Sequence, residues 1–414
     1  MVLTPVETGM DGNSQLTATD IDLASCRRIL VVKLDFIGDW VLCTPFLRNL
    51  RRSAPQAHIT AIVLQRVRDL AATCPDIDRV VALRESLPAV PLLTPGDAAA
   101  LRSFIDDYRQ GAFDLAVVPR WDADFWGAAS IAAASGGRWV VGFSERCTGR
   151  KQRLNRGHDR LFTHLLDRRQ PTHEVEHNLA LLRFMGGEVT VRDADLRLAS
   201  ADEAAADGFV REVFGSAGCD VVALAPFASE PKRNLPGRRL VRLARALRAK
   251  FGCRFAIIGG PAHVARAAEL AAEIGGAASA CGRLSLRGAA ALIRRSVALV
   301  GADSAPAHVA AAFGTPVAVA SCHPANGRPS HANSPLRFAP WGEPACIRVV
   351  QPERAAMPCR DACHSARPHC ILNIPEGRLL HETIGLLERA MGRLRPSRRG
   401  AAAQPSDIEA AFPA

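Results

Sequence analysis

The chain has 414 residues, 48% of them hydrophobic, and a formal net charge of +11. That length exceeds one average domain and supplies apolar residues for two cores, while no apolar run reaches the roughly 18 residues that span a bilayer. Twelve cysteines are too sparse here for a disulfide scaffold, and 5% aromatics with one tyrosine give no stacking platform for single-stranded nucleic acid.

The first 25 residues are polar and lack the apolar segment of a signal peptide, so a cytoplasmic protein is expected. Residues 1–26 read as a disordered lead-in. From there, "RILVVKL" reads as a strand, "WVLCTPFLRNLRRSAP" as a helix, "HITAIVL" as a strand, "RVRDLAATCP" as a helix and "RVVAL" as a short strand. A Pro-rich loop, the helix "AAALRSFIDDYRQGA" and the strand "FDLAVVP" follow. The pattern weakens near 144–170 and resumes after Gly215.

The second set contains "DVVALAPFA", "RFAIIGGP", "VALVGADS" and "TPVAVAS" as strands, with four helical stretches between them. Alternation of this kind implies parallel sheets with helices on both faces. The expected units are residues 27–200 and 215–375, then a helix at 376–394 and a disordered tail at 395–414. Two such units imply a cleft, and ligands bind beyond the carboxyl ends of the strands.

Three segments carry candidate chemistry. After the first strand, Gly38 and Asp39 stand where the chain turns into a helix; Asp39 suits a helix cap or a general base. After "VALV", Gly301 leads to Asp303, Ser304 and Ala305 at a helix start, with Pro306 in the first turn and His308 one turn on. Such a terminus suits a pyrophosphate, or is a plain capped helix with a buried histidine. The loop "PFASEPKRNLP" places Lys232 and Arg233 at the same sheet edge.

Together "ILVVKLDFIGDWVLCTPFLRNLRRSAPQAHITAIV", "ALAPFASEPKRNLP", "AIIGGP" and "VGADSAPAHVAAAFGTPVAV" resemble glycosyltransferase family nine, the ADP-heptose:lipopolysaccharide heptosyltransferases and their relatives. The resemblance covers roughly residues 27–392. It implies an α/β protein of GT-B architecture, with two Rossmann-like lobes and a cleft between them. The first lobe would bind a glycolipid or glycan acceptor and the second a nucleotide-diphosphate sugar.

It also implies inversion without a metal or other cofactor. Asp39 would be the base, and Lys232, Asp303, Ser304, Ala305 and His308 would hold the donor. Ser304 keeps the hydroxyl of the family's threonine, and Ala305 adds a methyl where the family has glycine. Expected partners are the donor, the acceptor and an anionic inner-membrane surface, with no nucleic acid. Arg48, Arg51 and Arg52 suit that surface or an ordinary solvated helix face.

"PRWDADFW" holds Asp122 and Asp124 in the spacing of a metal-binding Asp-x-Asp, but it follows a strand of the first lobe. A loop near the acceptor, with Arg120, or a solvated turn fits that context better. "CRDACHSARPHC" brings Cys359, Cys363, His364, His369 and Cys370 together in sequence. The spacing matches no common zinc finger, so thiols, a metal or a disulfide remain open, with thiols favoured. Other readings are a nucleotide-sugar epimerase of the same architecture and a non-catalytic anion or nucleic-acid binder.

Overall fold

The computed structural model describes residues 20–84, 113–216 and 218–399. These form two parallel six-stranded sheets, one per lobe. The first contains β1 (Arg28–Lys33), β2 (His58–Leu64), β3 (Arg79–Leu83), β4 (Leu115–Val117), β5 (Trp139–Phe143) and β6 (His164–Leu166), in the order β3-β2-β1-β4-β5-β6. The second contains β7 (Val221–Ala225), β8 (Arg254–Ile257), β9 (Ala277–Ser279), β10 (Ala298–Ala302), β11 (Val317–Ala320) and β12 (Ile347–Val350), in the order β12-β11-β10-β7-β8-β9. Renumbered within its own lobe, the second sheet has the arrangement of the first, that of a dinucleotide-binding fold.

In such sheets the order reverses between the first and fourth strands, and that switch point is where a ligand fits. It falls between β1 and β4 in one lobe and between β7 and β10 in the other. These central strands are covered on both faces by helices and read as unbroken apolar runs: β7 and β10 are buried throughout, as is β1 after Arg28. Gly301 lets β10 lie close to β7, because a Cβ there would stand 2.2 Å from the Ala225 carbonyl oxygen.

Helix Ile37–Ser53 follows β1 and carries the Gly-Asp pair. Trp40, Phe46, Leu47 and Leu50 from this helix are fully buried, each contributing roughly 1.5–3 kcal/mol by leaving water. Pro45 inside it has no N–H to offer the Val41 carbonyl, and the Thr44 hydroxyl donates there instead, at 2.8 Å. The buried Asn49 amide donates to Pro45 O and Val191 O and accepts from the Thr190 and Val191 N–H groups. These bonds fasten the inter-lobe connection to the helix.

Several expectations need correction. Within the expected lead-in of 1–26, residues 20–26 are ordered: Asp22 caps a turn at Leu23–Ser25, and Ile21, Leu23 and Cys26 enter the first lobe's core. The helix expected at 66–75 shrinks to Gln65–Val67 and Arg68–Ala71. The sheets gain β5, β6, β9 and β12, and the last three are short strands with only partly buried side chains at most positions, so their apolar signal is weak. Helix Ser200–Phe214 joins the second lobe through Ala206, Phe209 and Val210. The last helix runs Glu376–Arg399, past the expected end at 394. The expected helix at 98–112 and the ends 1–19 and 400–414 lie outside the described residues. Among the described residues, no helix is long and apolar enough to cross a membrane.

Candidate active site

The three segments singled out for candidate chemistry sit at the switch points, as does the loop that holds Arg120. Asp39 follows β1 and Arg120 follows β4; Lys232 follows β7 and Asp303 follows β10. The two lobes meet here, since a Cβ on Gly38 would lie 2.7 Å from the His308 Cδ2. Glycine at position 38 therefore lets the turn before Asp39 press against the imidazole of the opposite lobe.

Asp39 sits in a group of buried charges. Its neighbour Lys33, 3% exposed, pairs with Asp35 at 2.7 Å and donates to Pro119 O at 2.9 Å. Arg120 forms a close ion pair with Asp35 and has Nη1 4.0 Å from Asp39 Oδ1. Burial raises the Asp39 carboxyl above the usual aspartate range; Lys33 opposes this and the Glu174 charge adds to it. Asp39 keeps 18% of its side chain exposed, a contact with the cleft that a base needs. No side chain caps helix Ile37–Ser53, whose N-cap is Phe36; Asp39 lies in its first turn, where a carboxylate meets the positive end of the helix.

Behind Asp39 lies an ion cluster that sequence reading does not reveal. Arg337, from the second lobe and 1% exposed, reaches the first lobe's Asp122 at 3.0 Å and Glu174 at 2.9 Å from Nε. It also donates to Ser330 O and lies over the Trp121 ring. Asp122 accepts from Thr148 Oγ1 at 2.9 Å, and Arg337 and Arg120 hold its carboxyl down to about 2 against burial. Asp124 accepts from the Trp126 and Ala129 N–H groups and so starts helix Ala128–Ala134. The Asp-x-Asp pair therefore serves an inter-lobe clamp and a helix start, and Asp122, 3% exposed, is not part of a solvated turn. Arg120 remains beside Asp39.

The clamp continues through His173, which shares a hydrogen bond with Ala339 O at 2.9 Å and packs on Trp341. Trp341 in turn donates to Arg192 O. Burial pushes His173 down to about 4, so it is neutral near pH 7. Asp122 and Arg337 are 215 positions apart, and no local pattern links them.

In the second lobe, Ser304 is the N-cap of helix Ala305–Ala312, with no side-chain hydrogen bond to the helix N–H groups; its hydroxyl donates weakly to Ala302 O at 3.4 Å. Ala305 is the first helical residue. Asp303 is buried and raised to about 6 by desolvation, with Arg233 and the Ser321 hydroxyl opposing that. His308 is pushed down to about 3 by burial and stays neutral, and its Nδ1 has no hydrogen-bond partner among the described residues. Lys232 Nζ pairs with Glu230 at 2.7 Å, and Arg233 donates to Ser229 Oγ. The start of this helix feels the charge of Arg233, which acts on Asp303 and His308, and a helix N-terminus beside a cation suits an anion.

The basic face expected to meet a membrane is engaged within the protein: Arg48 binds Asp193 O, Arg51 binds Ala57 O and Asp78, and Arg52 binds Thr190 Oγ1. These arginines brace the lobe connection and the edge of the first sheet.

Two facing lobes of this topology, with both switch points at their contact, form the GT-B architecture. Residues 103–329, more than half of the chain, match the model of glycosyltransferase family 9 (heptosyltransferase), and the chain belongs to that family. No curated protein matches it by sequence. Among solved structures, the family 9 glycosyltransferase of Veillonella parvula superposes with a TM-score of 0.69 at 18% identity, covering 89% of this chain and 99% of that one. The E. coli ADP-heptose LPS heptosyltransferase II gives 0.63 at 19% identity, over 87% and 99%. E. coli heptosyltransferase WaaC, solved with ADP, gives 0.58 at 17% identity, over 78% and 93%.

Proposed function

We propose that this glycosyltransferase moves a heptose-like sugar, with inversion, from a nucleotide-diphosphate sugar to a lipopolysaccharide core or a related glycan. ADP-heptose is the favoured donor, in keeping with family membership and with the ADP bound by WaaC. The observation that carries the reading is Asp39: a carboxylate of raised pKa, still open to the cleft, at the point where the acceptor lobe's switch point meets the donor lobe.

Inversion requires a base on one face of the sugar and a leaving diphosphate on the other. Asp39 takes the proton of the acceptor hydroxyl as that oxygen attacks the anomeric carbon. Burial keeps its basicity above that of a free aspartate, which favours proton transfer near neutral pH. Arg120 and Lys33 hold the surrounding charge and stop the carboxylate from being neutralised outright. The diphosphate gains negative charge as it departs, and Lys232, Arg233 and the helix N–H groups at Ser304 stabilise it. These groups occupy the place a divalent ion takes in other transferases, so no such ion is required at the diphosphate. A neutral His308 places an unprotonated imidazole against the Gly-Asp turn and adds no charge beside the base.

A thermal-shift screen of nucleoside diphosphates, followed by turnover with the best donor and a core oligosaccharide, tests the reading. ADP should raise the Tm most, and sugar should appear on the acceptor. An epimerase would convert the donor without any acceptor, and a simple anion binder would give salt-dependent binding and no product.

A further inference from the structure

From residue 351 to 369, between β12 and a short turn at Cys370–Asn373, the chain forms neither helix nor strand. A loop of that length inside a compact domain needs something to order it. Its apolar side chains are few, yet Cys359, Cys363 and Cys370 are 7%, 1% and 0% exposed and lie in the second lobe's core. All three are free thiols.

The ligand atoms of Cys359, Cys363, His369 and Cys370 all lie within 4.8 Å of one another. His369 Nδ1 is 3.7 Å from the Cys359 sulfur and 3.6 Å from the Cys370 sulfur. Metal–ligand distances of about 2.3 Å for sulfur and about 2.0–2.1 Å for nitrogen, in a tetrahedron, place nitrogen and sulfur about 3.6 Å apart. The two distances therefore match the edges of a metal's ligand shell; they are too long for strong hydrogen bonds. Backbone N–H groups of Ala356 and His364 point at the Cys370 and Cys359 sulfurs, each at 3.4 Å, as suits thiolates carrying charge. His364, the other histidine of the segment, turns away: its side chain is 63% exposed and lies near Asp361 and His331.

We propose that Cys359, Cys363, His369 and Cys370 bind one tetrahedral transition-metal ion, zinc or iron(II), as a structural site. Three sulfurs and one imidazole make a complete shell with no position for substrate, and soft thiolates select these ions over magnesium or calcium. Binding releases the protons of the three thiols, and no electron is transferred. The ion staples the loop to the donor side. The loop's Asp361 carbonyl accepts from the Arg328 N–H at 2.8 Å, and Pro352 O accepts from Ala325 at 2.8 Å. Through these bonds the loop supports the segment after β11, whose Ser321 contacts Asp303. The metal site stands on its own geometry and does not depend on the identity of the sugar.

The test is elemental analysis of the full chain, purified without chelator from cells grown with both zinc and iron. About one equivalent of a single metal is expected, and the element found, with iron(II) giving near-ultraviolet thiolate charge-transfer absorbance and zinc none at those wavelengths, tells the two ions apart. Cys363→Ser and His369→Ala should lose it, whereas His364→Ala should retain it. Should the variants misfold, the wild-type chain still answers: a mercurial titrating its thiols should release the metal in step, and cobalt(II) added to the stripped protein should give the d–d bands of a tetrahedral thiolate site. Less than about 0.1 equivalent of any transition metal with no cobalt spectrum, or a disulfide among the three cysteines in freshly purified protein, overturns the proposal.

Discussion

The two lobes share one strand order but place different chemistry at the same topological position. At the β1/β4 switch point the first lobe concentrates charges of both signs, Lys33, Asp35, Asp39 and Arg120, backed by Asp122, Glu174 and Arg337. Most are buried and paired, and Asp39 is both raised by burial and open to the cleft. At the β7/β10 switch point the second lobe offers Lys232 and Arg233 on a partly buried loop, a helix start without a side-chain cap and a neutral histidine. A shared fold thus fixes where a site stands, and the loop residues after each strand decide what it does. On the proposed function, one lobe shapes the basicity of a single carboxylate and the other receives a polyanion.

Arg337 joins the two halves, and removing it should produce the largest stability effect. Arg337→Ala leaves Asp122 and Glu174 buried without their partner, which should cost about 3–5 kcal/mol in denaturant unfolding. A loss below about 1 kcal/mol would mean the cluster is not the inter-lobe clamp described here. Next, Lys232→Ala should weaken ADP binding by about 1.5–3 kcal/mol, the value of a charged hydrogen bond, measured by calorimetry, with acceptor KM little changed. Equal weakening of both substrates would blur the division of labour between the lobes.

The two close-approach glycines sharpen the comparison further. Gly301→Ala presses a methyl on the backbone of β7, whereas Gly38→Ala meets only the His308 ring. Both should lower the Tm, by roughly 1–3 kcal/mol of stability, with Gly301→Ala the worse of the two. Gly38→Ala should slow turnover out of proportion to its stability loss, because it displaces the turn that holds Asp39. The smallest effect is expected from magnesium or manganese: adding either ion to chelator-treated enzyme should leave the initial rate unchanged if, as proposed, Lys232 and the helix terminus hold the diphosphate. A rate that rises with magnesium would contradict that arrangement.

The candidate site was legible wherever chemistry follows an apolar strand directly. Asp303 directly follows β10, and Gly38-Asp39 and Lys232 stand in the loops or helix start that follow β1 and β7, so the alternation that marks the sheets also marks them. Arg337 was not legible, because its partners Asp122 and Glu174 lie 215 and 163 residues away and ion pairs leave no periodic trace. The same reason explains the Asp-x-Asp, whose context suggested an acceptor-side loop or a solvated turn and gave no hint of its contacts, a clamp and a helix start. The cysteine segment shows a third limit. Neighbouring His369 and Cys370 fit no standard ligand spacing, and only the folded loop brings them around one point. Short edge strands β6, β9 and β12 escaped notice because few of their side chains are fully buried.

The central claim is that Asp39 is the base, and Asp39→Asn tests it most directly. With the raised pKa, the wild-type rate should fall as pH drops through a value above the usual aspartate range, because only the ionised carboxylate accepts the proton. The fold disfavours that ionised form, so its contribution to stability is present below the unfolded pKa and lost as pH rises through the folded one. Asp39→Asn should therefore be no less stable than wild type at neutral pH, bind ADP normally and lose at least about 100-fold in kcat. Near-normal turnover in a folded, ADP-binding Asp39→Asn enzyme would contradict the account.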